Sequence, residues 1–312
     1  MATPEVGRVL GVLQEELQDG RGRRLSGSPT IKVLILGAGG QLGTELVRVC
    51  STLGDEVVAA AREDVDIADG ARLRDVVRAQ RPAVVFNAAA YTAVDRAESE
   101  PDRAELVNGR AVGRLAEVCR DLVVPVVHFS TDYVFDGTAT KPIPEDAPTS
   151  PVNAYGLSKL HGEQALLRSG ADAYIVRTSW VYGAAGANFV RTVLRVTREK
   201  GAIAVVDDQK GAPTWARDLA VASRRLVEVG SPGVYHLSNS GEVSWFEVAR
   251  AVVELAGISA EVRPIRTAEY PTPARRPEYS VLANQRWAAL GEPPLRPWKE
   301  ALQEYIAEIP AA

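Results

Sequence analysis

The sequence predicts an α/β fold: a doubly wound parallel sheet of the Rossmann type with a smaller C-terminal lobe. Two observations carry this prediction. From residue 31 onward, short apolar runs alternate with amphipathic helix patterns, and a glycine cluster lies directly after the first run. Alternating strands and helices with short connections are typical of a parallel sheet covered by helices. Glycines at the first strand-to-helix turn are typical of its dinucleotide-binding version.

The predicted strands are continuous apolar runs, as expected for strands buried on both faces. They are IKVLIL, EVVAA, PAVVFNAAA, VPVVHFS and DAYIVRTSWVYG. The intervening helix patterns are QLGTELVRVCSTL, GARLRDVVRAQ, RAELVNGRAVGRLAEVCRDL and AYGLSKLHGEQALLRS. Because strand and helix patterns alternate, we predict that residues 31–186 form mainly the dinucleotide-binding domain.

The C-terminal third lacks this regular rhythm. Strand-like AIAVVDDQ and GVYHLSN are separated by helix-like WARDLAVASRRLVEV, and SWFEVARAVVELAG precedes the proline-rich RPIRTAEYPTPARRPEYS. We predict that residues 187–312 form mainly a substrate-binding lobe, with some strands returning to the sheet.

Residues 1–30 read as an N-terminal extension. Apolar residues at helical spacing are followed by a stretch rich in Gly, Arg and Ser. The pattern is compatible with a flexible tail or with a short docking helix.

Composition excludes several classes of function. A net charge of −4 argues against a nucleic-acid partner, which normally meets a basic stripe. No apolar run is long enough to span a bilayer, so no membrane partner is expected. The two cysteines, Cys50 and Cys119, lie in apolar helix patterns, which favours a reducing, cytoplasmic location. The scattered histidines and cysteines show no metal-ligand spacing, and we predict no metal site.

The stretch LILGAGGQLGTEL predicts a dinucleotide site. It places Gly37, Gly39, Gly40 and Gly43 between a buried strand and a helix. Glycines allow the unusual dihedrals of the turn and let a pyrophosphate approach the backbone. The helix N-terminus then offers free N–H groups to the phosphates. The alternative is a tight turn without a ligand.

The end of the second strand bears on the choice of cofactor. NAD-binding proteins usually place a carboxylate there, but this chain has Ala61 followed by Arg62. An arginine can meet a 2′-phosphate, so we predict NADPH as the cofactor, with NADH as the alternative. Asp66 and Ile67, in the following loop, suit the adenine end of the cleft.

Three polar residues are predicted to meet at one edge of the sheet. Thr131 follows the fourth strand, and Tyr155 and Lys159 lie one helical turn apart at the start of the next helix. Ligands bind outside the C-terminal ends of parallel strands. A carbonyl that accepts hydride also needs a proton. A lysine ammonium favours the phenolate of a nearby tyrosine and lowers its pKa. We therefore predict these three as catalytic residues.

At these residues the chain resembles the dTDP-4-dehydrorhamnose reductase family of the extended short-chain dehydrogenase/reductases. The resemblance begins at about residue 31 and continues to the C-terminus. It rests on GAGGQLG, NAAAYTAVDRAESEP, STDYVFDG, AYGLSKLHGE, RTSWVYG, VVDDQKGAPTW and YPTPARRPEYS. STDYVF and the DDQxGxPT pattern are the most specific to this branch.

The resemblance implies roles for individual residues. Tyr155 would be the proton donor, Lys159 its electrostatic partner and a ligand of the cofactor ribose, and Thr131 the hydroxyl that tunes it. Further cofactor contacts would come from Gly40, Gln41, Leu42, Ala90, Tyr91 and Thr92, together with Asp66 and Ile67. Substrate contacts would come from Asp132 and Trp180, with Thr131, Thr92, Val94 and Asn188 as further candidates.

One departure from the family pattern concerns a metal. Some relatives hold a magnesium ion with acidic residues from two subunits at a dimer interface. Glu45 matches one such position, but Arg217 stands where another carboxylate is expected. We therefore predict no such site, and the chain is expected to be a monomer or a homodimer.

The implied reaction is hydride transfer from NADPH to the C4 keto group of a dTDP-linked 6-deoxy-hexulose, with dTDP-L-rhamnose as product. Two alternatives stay open at this point. A sister reductase would act on another dTDP-keto-deoxysugar, for example in a dihydrostreptose-type pathway. A regulatory subunit would bind a dinucleotide and a partner enzyme without catalysis.

Overall fold

The structure, a computed structural model, describes residues 29–309. The helix pattern expected before residue 29 lies outside these residues. The described strands are β1 Lys32–Leu36, β2 Glu56–Ala60, β3 Val84–Asn87, β4 Val126–Thr131, β5 Ala173–Thr178, β6 Val181–Tyr182, β7 Ala202–Val206, β8 Lys210–Gly211, β9 Thr214–Trp215, β10 Gly233–His236, β11 Val243–Ser244 and β12 Glu261–Ile265.

Six of these strands form one parallel sheet in the order β2-β1-β3-β4-β5-β10. The doubly wound fold predicted from the sequence is therefore confirmed. The strand order reverses between β1 and β3, and ligands of such sheets bind outside the carboxyl ends of the strands at this point. The sixth strand, β10, comes from the C-terminal third and pairs with β5.

The described helices are α1 Gln41–Thr52, α2 Gly70–Gln80, α3 Val94–Ala97, α4 Pro101–Glu105, α5 Ala111–Leu122, α6 Ala154–Ser169, α7 Phe189–Lys200, α8 Ala216–Val229, α9 Trp245–Leu255, α10 Gln285–Ala289 and α11 Trp298–Glu308. Short 3-10 turns cover Asp132–Val134 and Thr267–Glu269. No helix among residues 29–309 is long and apolar enough to cross a membrane.

Alternating side chains of the sheet supply two apolar cores. Val33 and Ile35 of β1 contribute to the core that includes residues of α1 and α8, whereas Leu34 and Leu36 contribute to the core with α2 and α5. Each inner strand is buried on both faces, which explains the continuous apolar runs in the sequence. Cys50 and Cys119 are buried in these cores as free thiols.

One helix differs from its prediction. The pattern RAELVNGRAVGRLAEVCRDL predicts a single helix, but a π-helical segment, Leu106–Arg110, separates α4 from α5. The wider turn lets Asn108 point its side chain at the loop after β3, where it binds the backbone of Tyr91. Such π-turns occur often at functional sites.

The C-terminal lobe has its own apolar core between α7, α9 and α11. Val193, Val252, Leu302 and Tyr305 are buried in it, and Trp215 of β9 packs beside them. Three short strand pairs border this core: β7 with β12, β8 with β11, and β6 with β9.

Candidate active site

The glycine turn after β1 brings the chain close to its neighbours. Gly37 has a φ of 74°, and a Cβ there would lie 2.6 Å from the backbone nitrogen of Ala89. A Cβ at Gly43 would lie 2.1 Å from the carbonyl oxygen of Gly37. Helix α1 therefore packs closely against the turn, and it begins without a side-chain cap. Its first N–H groups can bind an anion.

A cleft of about 400 Å³, which we term the glycine cleft, opens at this turn. It lies at the point where the strand order of the sheet reverses. Residues predicted to bind the cofactor line it, namely Gly37, Gly40, Arg62, Asp66, Ile67, Ala90 and Tyr91. Its lining, which includes the glycine turn and the loop after β2, suits the adenosine half of a dinucleotide.

Two guanidinium groups line the glycine cleft. Arg62 follows Ala61 and is 72% exposed, with Nη2 at 3.5 Å from Asp66 Oδ2. Arg103 lies on the far side, with its guanidinium 5.8 Å from the ring centre of Tyr91. Ala61 supplies no carboxylate for a ribose hydroxyl, and the neighbouring Arg62 offers a cation to the cleft instead. Glu63 also lines the cleft.

Three of the predicted cofactor residues, Gln41, Leu42 and Gly43, offer at most their backbone, whereas Thr92 has an exposed side chain. Gln41 directs its side chain to the C-terminal lobe, where its amide donates to the Ala187 carbonyl at 3.3 Å. Leu42 packs against the sheet core, and Gly43 has no side chain. Thr92 is exposed at the loop before α3.

Thr131 and Tyr155 meet at the carboxyl end of β4. Strand β4 ends at Thr131, and α6 begins after Asn153, whose side chain caps it by accepting from the Gly156 N–H at 2.7 Å. A Cβ at Gly156 would lie 2.1 Å from the Tyr133 carbonyl oxygen, so only glycine permits this approach. We term Thr131, Asp132, Tyr155 and Lys159 the tyrosine edge.

Two hydrogen bonds determine the orientation of the Thr131 hydroxyl. Its hydroxyl donates to Asp132 Oδ1 at 3.0 Å and accepts from the Tyr133 N–H at 3.2 Å. Asp132 is 3% exposed, and its Oδ2 has no hydrogen-bond partner among the described residues. Burial raises the pKa of the Asp132 carboxyl to about 6, against the opposing effect of the Ser280 and Thr131 hydroxyls.

Tyr155 is 8% exposed, and its ring meets the Tyr133 ring edge-on at 5.7 Å. Burial raises the pKa of its phenol above the ordinary value, and the Asp132 carboxylate adds to the rise. The expected lowering by Lys159 is therefore wrong for this arrangement of side chains. The reason is geometric: Lys159 Nζ donates to the Phe129 carbonyl at 2.6 Å and lies 3.3 Å from His128 Nε2.

Lys159 lies in a buried polar layer between α6 and the sheet. Burial lowers the pKa of its ammonium to about 8, opposed by Glu163 one turn further along. Glu163 itself accepts from Ser130 at 2.5 Å and forms a buried ion pair with Arg177 of β5 at 2.7 Å. This ion pair holds the inner face of α6 against β4 and β5.

The predicted substrate residues lie in three different settings. Asp132 belongs to the tyrosine edge, and Val94, at the start of α3, packs beside Tyr155. Trp180 has a left-handed backbone, with φ 48°, and its indole stacks on Trp245 at 3.5 Å. Asn188 caps α7 and donates to the Gly183 carbonyl at 2.9 Å, so its amide is engaged in structure.

Sequence reasoning missed three residues that support the site. Asn108 binds both the N–H and the carbonyl of Tyr91 and donates to the Ser158 hydroxyl at 3.0 Å. A polar side chain beside Gly109, inside an otherwise regular helix pattern, was the available signal. Trp245 and His128 carry no local signal, because their partners lie far away in the sequence.

Glu45 and Arg217, which mark the departure from the family's metal pattern, form an ion pair. Arg217 Nε donates to Glu45 Oε2 at 3.2 Å, and Arg217 also pairs with Glu308 of α11. The Glu45 carboxylate therefore has a cation from its own chain. Within residues 29–309 no group of three or more His, Cys, Asp or Glu residues is arranged to hold a metal ion.

Comparisons with known proteins identify the family of the chain. The family described as RmlD substrate binding domain matches residues 31–310. A dTDP-4-dehydrorhamnose reductase of Streptomyces griseus is 44% identical over 90% of this chain and 94% of its own. A dTDP-4-keto-6-deoxy-D-glucose reductase of Streptomyces niveus is 43% identical over 88% and 96%.

Among solved structures, the dTDP-4-dehydrorhamnose reductase of Bacillus anthracis in complex with NADP aligns with a TM-score of 0.88. It is 35% identical, and the alignment covers 90% of this chain and all of that one. The glycine cleft, the tyrosine edge and these likenesses lead to one conclusion: the chain belongs to the dTDP-4-dehydrorhamnose reductase family.

Proposed function

We propose that this protein uses NADPH to reduce the C4 keto group of dTDP-4-dehydro-L-rhamnose, giving dTDP-L-rhamnose. The observation that carries the proposal is the placement of the tyrosine edge beside the glycine cleft. A buried phenol and a dinucleotide cleft at one end of a parallel sheet are what carbonyl reduction requires. Relatives named for this reaction support the choice of substrate.

The residues of the glycine cleft fit NADPH. The turn brings the side-chain-free backbone of Gly39 and Gly40 to the cleft, where a pyrophosphate can approach it, and α1 starts without a side-chain cap. We assign Arg62 to the 2′-phosphate, with Arg103 as a second cation across the cleft. When bound, NADPH supplies the hydride for C4 of the sugar.

The tyrosine edge supplies the proton. Tyr155 is kept protonated near neutral pH because burial and Asp132 disfavour its phenolate. We assign it as the donor to the oxygen that becomes negative as the carbonyl is reduced. Thr131 has its single hydrogen committed to Asp132, so its lone pairs face the remaining neighbours. We assign Thr131 to orient the phenol.

Asp132 and Trp180 are assigned to the sugar nucleotide. The Asp132 Oδ2 atom is buried without a partner, and such an oxygen is satisfied when a substrate hydroxyl donates to it. Trp180 can present its indole to the sugar ring once its stack on Trp245 opens. A bulky residue with a left-handed backbone is strained, and such strain clusters at binding sites.

The test is a coupled assay in which upstream enzymes convert dTDP-glucose to the 4-keto sugar in situ. We expect loss of NADPH absorbance and formation of dTDP-L-rhamnose. Rates with NADPH and NADH compare the two cofactors. Absence of turnover with this substrate, while NADPH binds, contradicts the substrate assignment.

A second candidate is reduction of another dTDP-keto-deoxysugar. The relative from Streptomyces niveus, named as a dTDP-4-keto-6-deoxy-D-glucose reductase, favours it. The same assay with dTDP-4-keto-6-deoxy-D-glucose, before epimerisation, discriminates the two by which substrate consumes NADPH. A purely regulatory role is disfavoured, because a non-catalytic subunit has no need of the complete tyrosine edge.

A further inference from the structure

His128 lies behind Lys159, fully buried in β4. Its Nδ1 is 3.0 Å from Asn87 Nδ2, and its Nε2 is 3.3 Å from Lys159 Nζ. On the far side of Asn87, the amide oxygen accepts from the Ala89 N–H at 3.3 Å. A continuous chain of polar groups thus runs from the loop after β3, through two strands, to the lysine of the tyrosine edge.

The backbone N–H of Ala89 determines which groups donate and which accept in this series of hydrogen bonds. Because the Ala89 N–H needs an acceptor, the Asn87 oxygen faces it and the Asn87 NH₂ faces His128. The imidazole nitrogen that receives this NH₂ must be unprotonated. The proton of neutral His128 therefore sits on Nε2 and points at Lys159.

We propose that His128 is a positioning residue of the reaction: held in its Nε2–H tautomer by Asn87, it orients the Lys159 amino group and links the lysine's proton to the loop Ala88–Tyr91. The proposal rests on the proposed function, in which Lys159 acts as a member of the tyrosine edge. In this arrangement the Lys159 nitrogen accepts from His128 Nε2–H and donates to the Phe129 carbonyl. The amine is uncharged in this arrangement, which is the form that prevails above its pKa of about 8.

Protonation of Lys159 reverses the donor and acceptor roles along this series of hydrogen bonds. An ammonium has no lone pair, so His128 Nε2 would have to accept and Nδ1 would carry the proton. Asn87 would then turn its oxygen to His128 and leave the Ala89 N–H without its acceptor. Ala88 and Ala89 line the glycine cleft, so the lysine's charge and the wall of that cleft are coupled.

Few charges face this lysine. Glu163 lies one turn away on α6 and is neutralised by Arg177 of β5. His161 and Glu105 pair with each other on the half-exposed side of α6, at 2.8 Å. Asp132, beyond β4, acts on Tyr155. Burial holds the pKa of His128 well below its ordinary value, so the imidazole stays neutral while Lys159 titrates.

A second buried histidine of the protein serves as a matched control. Of its three histidines, His236 in β10 is also fully buried, but its Nδ1 lies 3.1 Å from the Ile143 carbonyl. A carbonyl only accepts, so His236 carries its proton on Nδ1. The two buried histidines are therefore expected in opposite tautomers.

The first experiment is imidazole nitrogen NMR of the whole protein, with signals assigned by H128Q, H161Q and H236Q. We expect His236 as the Nδ1–H tautomer on both sides of the Lys159 transition, and His128 as the Nε2–H tautomer only at pH values above that transition. Above about pH 8 the Nε2–H form of His128 should dominate, and towards about pH 6 it should convert to Nδ1–H as Lys159 gains its proton.

A His128 tautomer that does not change with pH, or that stays Nδ1–H above the lysine's transition, overturns the proposal. N87L, which removes the anchor, should mix the two tautomers at high pH. If N87L leaves the His128 signals unchanged, Asn87 does not orient the ring. This measurement needs no substrate, so it stands even if the proposed reaction is wrong.

The second experiment compares the pH profiles of H128Q and H236Q. Glutamine can turn its amide oxygen to the ammonium and favour the charged lysine, so the H128Q transition in kcat should move up by about one pH unit. Near neutral pH the lysine is mainly charged in both proteins, so kcat should stay within about twofold there, and the two pH profiles should separate above about pH 8, with KM for the sugar nucleotide within about twofold throughout. H236Q should keep the wild-type profile. Equal shifts in both variants, or none in H128Q, contradict the positioning role.

Discussion

The glycine cleft is shaped mainly by backbone and small side chains, whereas the tyrosine edge is made of buried polar side chains. At the cleft, Gly37 and Gly43 allow the turn to pack closely against its neighbours, and Arg62 is largely exposed. At the edge, Thr131, Tyr155 and Lys159 are all under 9% exposed, and the side chains of Thr131 and Lys159 are hydrogen-bonded to their surroundings. The difference suggests that the cleft binds by shape and charge, and that the edge acts by fixing protons.

The substitution Tyr155→Phe should separate the function of the tyrosine edge from that of the glycine cleft most clearly. The phenyl ring fills the same space and removes only the proton donor, so we expect kcat to fall by about 10³-fold or more. NADPH affinity, measured by fluorescence titration, should stay within about twofold, because the glycine cleft is untouched. Tyr133→Phe is the control, since its ring packs on Tyr155 without an assigned role in proton transfer. Turnover that survives in Tyr155→Phe would remove the assignment.

Gly37→Ala should disrupt cofactor binding at the glycine cleft and leave proton donation at the tyrosine edge unchanged. The added Cβ would lie 2.6 Å from Ala89 N at a φ of 74°. We expect about 100-fold weaker NADPH binding and about 3 kcal/mol lower free energy of unfolding. Gly201→Ala is the matched control, because Gly201 has a φ of 66° and no atom within 4 Å of the added Cβ. Equal losses in the two variants would show that backbone strain alone, without close packing, explains the glycine.

Asp132→Asn tests the cost of burying charge at the tyrosine edge. The folded protein raises the pKa of this carboxyl from 3.8 to about 6, so the folded state binds the proton more tightly than the unfolded chain. Wild-type stability should therefore fall as pH rises from about 4 to about 6, and stay reduced above. We expect the variant to be about 2 kcal/mol more stable than wild type near pH 8, and equal near pH 4, by urea unfolding. A variant that is less stable at both pH values contradicts this.

Arg62→Gln should produce the smallest effect and act on the cleft alone. Loss of the exposed guanidinium should weaken NADPH binding about tenfold while NADH binding stays the same, because only NADPH carries the 2′-phosphate. Arg74→Gln, on the far side of α2 beside Asp121, serves as the control. If both cofactors lose affinity equally, Arg62 supports the loop rather than the phosphate.

Local pattern predicted those parts of the fold that local interactions determine. AYGLSKLHGEQALLRS became α6 at the same residues, since Asn153 caps it and Gly170 ends it in a left-handed turn. The glycine turn was predicted because its glycines are required where they stand. The π-segment at Asn108 was not predicted, because its cause is the backbone of Tyr91 in another βα unit.

The candidate site shows the same limit. The types and order of Thr131, Tyr155 and Lys159 were evident, but the direction of the Lys159 amino group depends on His128 and Phe129 in a neighbouring strand. The expected lowering of the Tyr155 pKa failed for this reason. The Trp180 indole was predicted to face a sugar, and its stack on Trp245 joins segments that are distant in the sequence.

The arrival of β10 from the C-terminal third has a consequence for how the protein is made. During translation β5 emerges well before Gly233–His236, the strand that pairs with it. Until then its outer row of N–H and C=O groups is open to pairing with other chains. The nascent protein is therefore prone to aggregation through the open edge of β5 until most of its length has left the ribosome. We expect a truncated protein that ends near residue 186 to keep this edge open and to aggregate, and not to fold as a separate nucleotide-binding domain.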